Sequence, residues 1–217
     1  MTTFPPADNY QARGDDMSSR KCLALACSPR RGGNTRLLAQ RALEGAAQAG
    51  AKTELVLLAD HNCGPCRGCG GCDKTGRCVV LDDTAAIYDK ILAADGLILA
   101  APIFSMGMNA QGKAFVDRAQ KFWAAKYLLG RQVIASEEKR LARRGIFISA
   151  AGTGLPGVFD GAIRVARYFF KMLDISYAGA YCYPKTDGRG EILSNREALA
   201  EVLGAGLALG QNSPKEL

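Results

Sequence analysis

Histidine is almost missing from this chain of 217 residues: His61 is the only one. With His61 as the sole imidazole, and read as a surface residue beside a cysteine-rich loop, no Ser–His–Asp set is expected for nucleophilic catalysis. Aromatic residues are sparse at 7% and come with no RNA- or DNA-binding motif. The formal net charge of +7 thus reads as a solvated basic face, open to anionic cofactors or an acidic protein partner, and not as a nucleic-acid surface. No uncharged apolar run approaches the roughly 20 residues that span a bilayer, so no membrane partner is expected. Residues Met1 to Arg20 lack an apolar core segment, which excludes a secretory signal. Their Thr, Pro, Asp, Ser and Arg content predicts a disordered arm over 1–20. Also missing are G-x-x-x-x-G-K-[ST] and a G-x-G-x-x-G after a strand, which argues against an ATP or GTP loop and a Rossmann dinucleotide site.

What is present is an ordinary core: 48% hydrophobic and 23% charged residues, enough for one globular domain. Strands are predicted at 22–27, 53–58, 96–101, 146–149 and 176–182, and helices at 35–49, 84–94, 109–123, 158–173 and 194–209. Residues 125–143 are basic and ambiguous, and read as a loop with a short helical turn. Strand and helix alternate five times, as right-handed βαβ units over a parallel sheet require. Five strands fit the order 2-1-3-4-5, in which ligands sit beyond the carboxyl ends of the strands; the loops there would be 28–35, 102–108 and 149–155.

The first of these loops carries most of the information. Leu23-Ala24-Leu25-Ala26-Cys27 is a buried strand, Ser28-Pro29-Arg30-Arg31-Gly32-Gly33 a loop, and Asn34-Thr35 a helix start. A helix N-terminus offers unpaired N–H groups and a positive dipole end, an anion site. Ser28, Asn34 and Thr35 add side-chain donors, Arg30 adds a charge, and Gly32 and Gly33 let the backbone close in. This stretch resembles the S-P-R-x-x-G-N-T loop of the NAD(P)H-dependent FMN reductases and iron–sulfur flavoproteins, where it holds the FMN phosphate. The resemblance implies a flavodoxin-like α/β three-layer sandwich, with a five-stranded parallel sheet and helices on both faces. It extends to Pro102-Ile103-Phe104-Ser105-Met106-Gly107, similar to the family's second flavin loop. That loop is followed by Ala110, Lys113, Asp117 and Arg118 in the places of an A-x-x-K-x-x-x-D-R motif. It extends again to Ser149-Ala150-Ala151-Gly152, similar to the third. The flavin contacts implied are Ser28, Arg30, Gly33, Asn34, Thr35, Pro102 to Gly107, Ser149, Ala151 and Gly152. Phe104-Ser105, where the family commonly has Tyr-Phe or Tyr-Trp, and Ala150, where it has Thr, are departures.

Five of the eight cysteines fall between Cys63 and Cys78. With no secretory pattern, cytoplasmic thiols are expected, and their clustering suggests metal or redox chemistry. Cys66-x2-Cys69-x2-Cys72-x5-Cys78 is a compact four-thiolate spacing that suits an iron–sulfur cluster or zinc; an empty redox-active loop also remains open. Cys63 is extra, and Cys22, Cys27 and Cys182 fall in strands as buried thiols. The same spacing in the iron–sulfur flavoproteins implies a 4Fe–4S cluster on Cys66, Cys69, Cys72 and Cys78. The domain expected is thus 21–217, with a cysteine-rich insertion at 62–79.

The resemblance implies an FMN-dependent oxidoreductase that passes electrons between cluster and flavin. NAD(P)H or a ferredoxin would be the donor, a small molecule or another protein the acceptor, and the assembly a homodimer or homotetramer. Two rivals stand beside it: an NAD(P)H-dependent FMN or quinone reductase with a metal-free cysteine loop, and a zinc or redox sensor without enzymatic activity.

Overall fold

The computed structural model describes residues 19–211. The arm expected over 1–20 lies outside the described residues apart from Ser19 and Arg20. Arg20 is fixed to the body, its guanidinium donating to the carbonyls of Leu209 (3.0 Å), Asp95 (3.4 Å) and Ala142 (3.2 Å).

The described residues form seven strands, β1 (Lys21–Ala26), β2 (Lys52–Leu57), β3 (Gly96–Ala100), β4 (Ile103–Phe104), β5 (Gly107–Met108), β6 (Arg144–Ala150) and β7 (Ser176–Tyr183). Five build one parallel sheet in the order β2-β1-β3-β6-β7, while β4 and β5 pair as a small antiparallel hairpin. With the hairpin set aside, the order is the expected 2-1-3-4-5. The central strands are apolar along their length because both faces are covered. Leu23, Leu25, Leu97, Leu99 and Phe147 point to one core, and Cys22, Ala24, Ile98, Ala100, Ile146 and Ile148 to the other.

The helices are α1 (Asn34–Gln48), α2 (Thr84–Ala93), α3 (Ala110–Asp117), α4 (Gln120–Trp123), α5 (Glu137–Ala142), α6 (Asp160–Met172) and α7 (Arg196–Gly210). One face is closed by α1 and α7, which approach so nearly that a Cβ at Gly206 would overlap the Ala42 carbonyl oxygen. On the other face Tyr88 of α2 stacks on Phe115 of α3 at 4.6 Å and meets Phe122 of α4 edge-on at 4.9 Å. Helix α1 ends in a Schellman motif: Ala51 N–H donates to Ala46 O and Gly50 N–H to Ala47 O, with Gly50 at φ 87°. Fully buried Arg143 donates to the carbonyls of Ile91, Ala94 and Leu173, and so satisfies the C-terminal ends of α2 and α6 at once.

Two segments differ from expectation. The helix expected over 109–123 is divided at Arg118 and Ala119, whose N–H groups donate three residues back, to Phe115 and Val116. The tightened turn coincides with the side chain that reaches out to the cysteine loop. A π-helical turn, Ala124–Leu128, then follows α4. The loop expected over 102–108 contains the hairpin, whose turn residues Ser105 and Met106 both have positive φ, 48° and 64°. That matches the twist a two-residue hairpin demands, in residues that adopt it at a cost of about 1–3 kcal/mol each.

Candidate functional site

β1 has β2 on one side and β3 on the other, so the chain reverses its direction of sheet growth at the carboxyl end of β1. The crevice opened there holds a cavity of about 470 Å³. It is lined by Ser28, Arg30, Gly33, Asn34 and Thr35 from the first loop, Pro102 to Ser105 from the second, and Ala150 and Gly152 from the third. Thr186 and Asp187 complete it from beyond β7.

The first loop leads into an open helix start. The N–H groups of Asn34, Thr35 and Arg36 precede the first intrahelical bond, Leu37 N–H to Gly33 O, and so have no partner inside α1. Thr35 is 1% exposed, and its Oγ1 is buried without a hydrogen-bond partner. A Cβ at Gly33 would lie 2.8 Å from Ser28 Oγ and fill the cradle. Ser28 Oγ accepts from Arg30 N–H at 3.2 Å, which turns the loop back on itself.

Asn34 and Arg30 bind a second segment. The Asn34 amide donates to Gly188 O (2.9 Å) and Thr186 O (3.4 Å), and its oxygen accepts from Ile192 N–H (3.3 Å). Arg30 Nη1 donates to Asp187 O at 3.0 Å. Asn34 was expected as a donor to a ligand, but its side chain is committed to closing the 186–192 loop over the cavity. Glu191 holds that loop's tip by accepting from the N–H groups of Asp187 and Gly188.

The other expected residues are divided. Met106 and Gly107 lie in the hairpin away from the cavity wall, with Met106 half exposed. Ser149 is buried, and its hydroxyl donates to Ala101 O at 2.7 Å, which joins the ends of β3 and β6. Ala151 is buried beside it, its N–H bonded to Tyr183 O. Sequence reasoning missed Thr186, Asp187 and Asn109, and named Ala150 in the third loop without counting it as a contact. Asn109 is fully buried and donates to Cys27 O at 2.8 Å, so it fixes the second loop to the end of β1. The turn Asp187-Gly188-Arg189-Gly190 was a visible signal for the closing loop. Asn109 stood inside the helix expected over 109–123, where nothing local signals a bond to the end of β1; it instead precedes α3.

Cys66, Cys69, Cys72 and Cys78 surround a second cavity, of about 410 Å³, walled on its inner side by Asp117 and Arg118. All eight cysteines are free thiols. Among the described residues no three His, Cys, Asp or Glu side chains converge as a single ion requires; the four thiols stand around a space. Cys63 does not line it and packs against the core. Burial pushes the Cys72 thiol up, as does the neighbouring Asp73. Cys22 is raised to about 11 and Cys27 to about 12, both by burial. Cys182 is raised to about 12 by burial and by Glu201, although it is only half-buried in β7. His61 sits at the loop's entrance with Nδ1 3.7 Å from Asp83 Oδ2.

The loop is held by one ion pair. Arg118 Nη1 lies 2.6 Å from Asp82 Oδ2, and Nη2 3.2 Å from Oδ1. The same guanidinium donates to Gly64 O (2.9 Å) and Val80 O (3.1 Å), one on each side of the cysteines. Asp82 also accepts from the N–H groups of Gly64 and Thr84. Burial pushes the Asp82 carboxyl up, but the bonds from Arg118, Thr84 and Gly64 outweigh it and hold it at about 2.

Among the described residues no helix is long and apolar enough to cross a membrane. Comparison with known proteins agrees with this architecture. An iron–sulfur flavoprotein of Methanocaldococcus jannaschii is 41% identical over 100 residues, 46% of this chain and 52% of that protein. One of Methanosarcina thermophila is 35% identical over 125 residues, 58% of this chain and 65% of that one. The matched stretches thus span half to two thirds of these relatives' lengths. Among solved structures, a flavone reductase superimposes with a TM-score of 0.64 at 20% identity, over 88% of this chain and 62% of that one. An NAD(P)H:quinone oxidoreductase from Methanothermobacter marburgensis gives 0.63 at 15%, over 88% and 98%; both are likenesses of fold. The NADPH-dependent FMN reductase model matches residues 20–158, well over half of the sequence, and the chain belongs to that family.

Proposed function

We propose that the protein is an FMN-dependent oxidoreductase of the iron–sulfur flavoprotein type. The observation that carries the flavin half is the orphaned Thr35 hydroxyl, buried at a helix start whose first three N–H groups have no intrahelical partner, in a cradle that a Cβ at Gly33 would fill. A buried polar atom without a partner is costly, and a phosphate oxygen at this place satisfies it. Thr35 and the start of α1 would hold the phosphate. Pro102 to Ser105 would lie along the ring, and the Gly152 side would accept close approach of its polar edge. Asn34 and Arg30 hold the 186–192 loop, which keeps water from the phosphate end.

Four soft thiols lining one cavity support a thiolate-held centre. Cys66, Cys69, Cys72 and Cys78 would be its ligands. Bound FMN supplies hydride and single-electron chemistry, and a thiolate-held cluster supplies single-electron transfer. NAD(P)H or a ferredoxin is the proposed donor, a small molecule the acceptor, and a homo-oligomer the working form. The names of the archaeal relatives support this reading.

Anaerobic purification followed by absorption and metal analysis tests it. The expected result is FMN together with about four iron and acid-labile sulfide per chain, and a Cys72→Ala variant that loses iron and keeps flavin. Flavin without iron would favour a reductase with a metal-free loop; zinc without flavin would favour a sensor.

A further inference from the structure

An arginine carries five N–H donors. Four of those on Arg118 are spent on Asp82, Gly64 and Val80. The fifth, on Nε, is buried without a hydrogen-bond partner, in a residue only 3% exposed. Arg118 forms part of the wall of the cysteine cavity, and the Cys78 thiol lies close enough to interact with its guanidinium. A neutral thiol is a weak acceptor, whereas a thiolate accepts a charge-assisted bond from an N–H. Cys78, beside the same guanidinium, would offer this donor a strong acceptor once ionised and bound.

We propose that Arg118 is a positioning and tuning residue for the centre held by the four cysteines, its Nε–H donating to the bound Cys78 sulfur and raising that centre's reduction potential. The proposal rests on the cluster reading. Its physical basis is that an N–H donor beside a ligating sulfur stabilises the form with the extra electron. Asp82 works against this by placing a carboxylate on the far side of the same guanidinium. The pair thus sets the potential by opposition, with Arg118 the member that lines the cavity.

A purely structural role makes a different prediction from a tuning role. Arg118→Gln and Asp82→Asn both break the ion pair, so both lower the thermal midpoint of the iron-free protein. Their effects on the potential have opposite sign. Arg118→Gln removes the donor and shifts the midpoint potential, measured by anaerobic titration with electron paramagnetic resonance, downward. Asp82→Asn leaves the donor and removes the opposing charge, so the midpoint shifts upward. Should Arg118→Gln take up no iron, Asp82→Asn decides alone. Iron-loaded variants with unshifted potentials, or shifts of the same sign, would overturn the proposal while leaving the cluster reading intact. Failure of both variants to hold iron would also overturn it, since the pair would then serve only to hold the loop. A wild-type protein that takes up no iron under any conditions would remove the cluster reading, and this proposal with it.

Discussion

The Asn34 side chain donates to the Gly188 carbonyl at 2.9 Å, across 154 residues of chain. This bond joins the loop after the first strand to the loop after the last, and the candidate flavin cavity exists between them. Asn34→Ala removes this bond and two weaker partners, at about 1–2 kcal/mol of stability by the usual net worth of such bonds. Chemical denaturation is expected to show that loss. Stopped-flow dilution is expected to show faster FMN release, because the 186–192 loop is no longer fastened.

Thr35→Val separates ligand binding from stability. The hydroxyl has no partner in the described structure, so its replacement by an isosteric methyl leaves the flavin-free protein as stable as before, or more so. The bond it offers to phosphate is lost. FMN affinity should fall roughly five- to tenfold, the equivalent of about 1–1.5 kcal/mol, measured by fluorescence titration.

Gly206→Ala tests the packing of α1 on α7. The added Cβ would overlap backbone at Ala42, and backbone cannot move aside as a flexible side chain does. Overpacking of this kind costs about 1–3 kcal/mol or more. At roughly 2–4 °C per kcal/mol for a chain of this size, a drop of several degrees in Tm is expected by calorimetry. An equal Tm would show that the two helices slide apart without cost.

Acid stability follows from Asp82. Its carboxyl sits at about 2 in the folded chain, below the unfolded value of about 4. A group with a depressed folded value stabilises the fold fully above its unfolded pKa, and that contribution is lost as pH falls towards the folded one. Asp82 and Arg118 are 5% and 2% exposed, so screening by solvent is small and the contribution is roughly 2 kcal/mol. Between about pH 4 and pH 2 the iron-free wild-type protein should lose this increment, and Asp82→Asn should lose less over the same range.

The parallel sheet was legible because its central strands are covered on both sides. Runs such as Gly96-Leu97-Ile98-Leu99-Ala100 have no solvent face to interrupt them. The turn from β1 into α1 was legible because Ser28, Gly33 and Thr35 lie within eight residues of one another, and all three line the cavity. What the sequence hid depends on distant partners. The division of the helix at Arg118 accompanies a bond to Asp82, 36 residues away. Asn34 reads as a ligand donor until Gly188 and Ile192 are placed beside it. Ser149 reads as a loop hydroxyl until Ala101 O appears 2.7 Å away. Thr186 and Asp187 belong to the cavity only because β7 lies at the sheet edge that returns them to it.

The central claim is that the loop from Ser28 to Thr35 holds the phosphate of a flavin mononucleotide. Equilibrium titration of the flavin-free protein with FMN and, in parallel, with riboflavin, which lacks only the phosphate, tests it most directly. The account predicts one FMN per chain and riboflavin binding weaker by a hundredfold or so, in line with about 3 kcal/mol from charge-assisted bonds. Equal affinity for the two flavins, or no uptake of either, would contradict it.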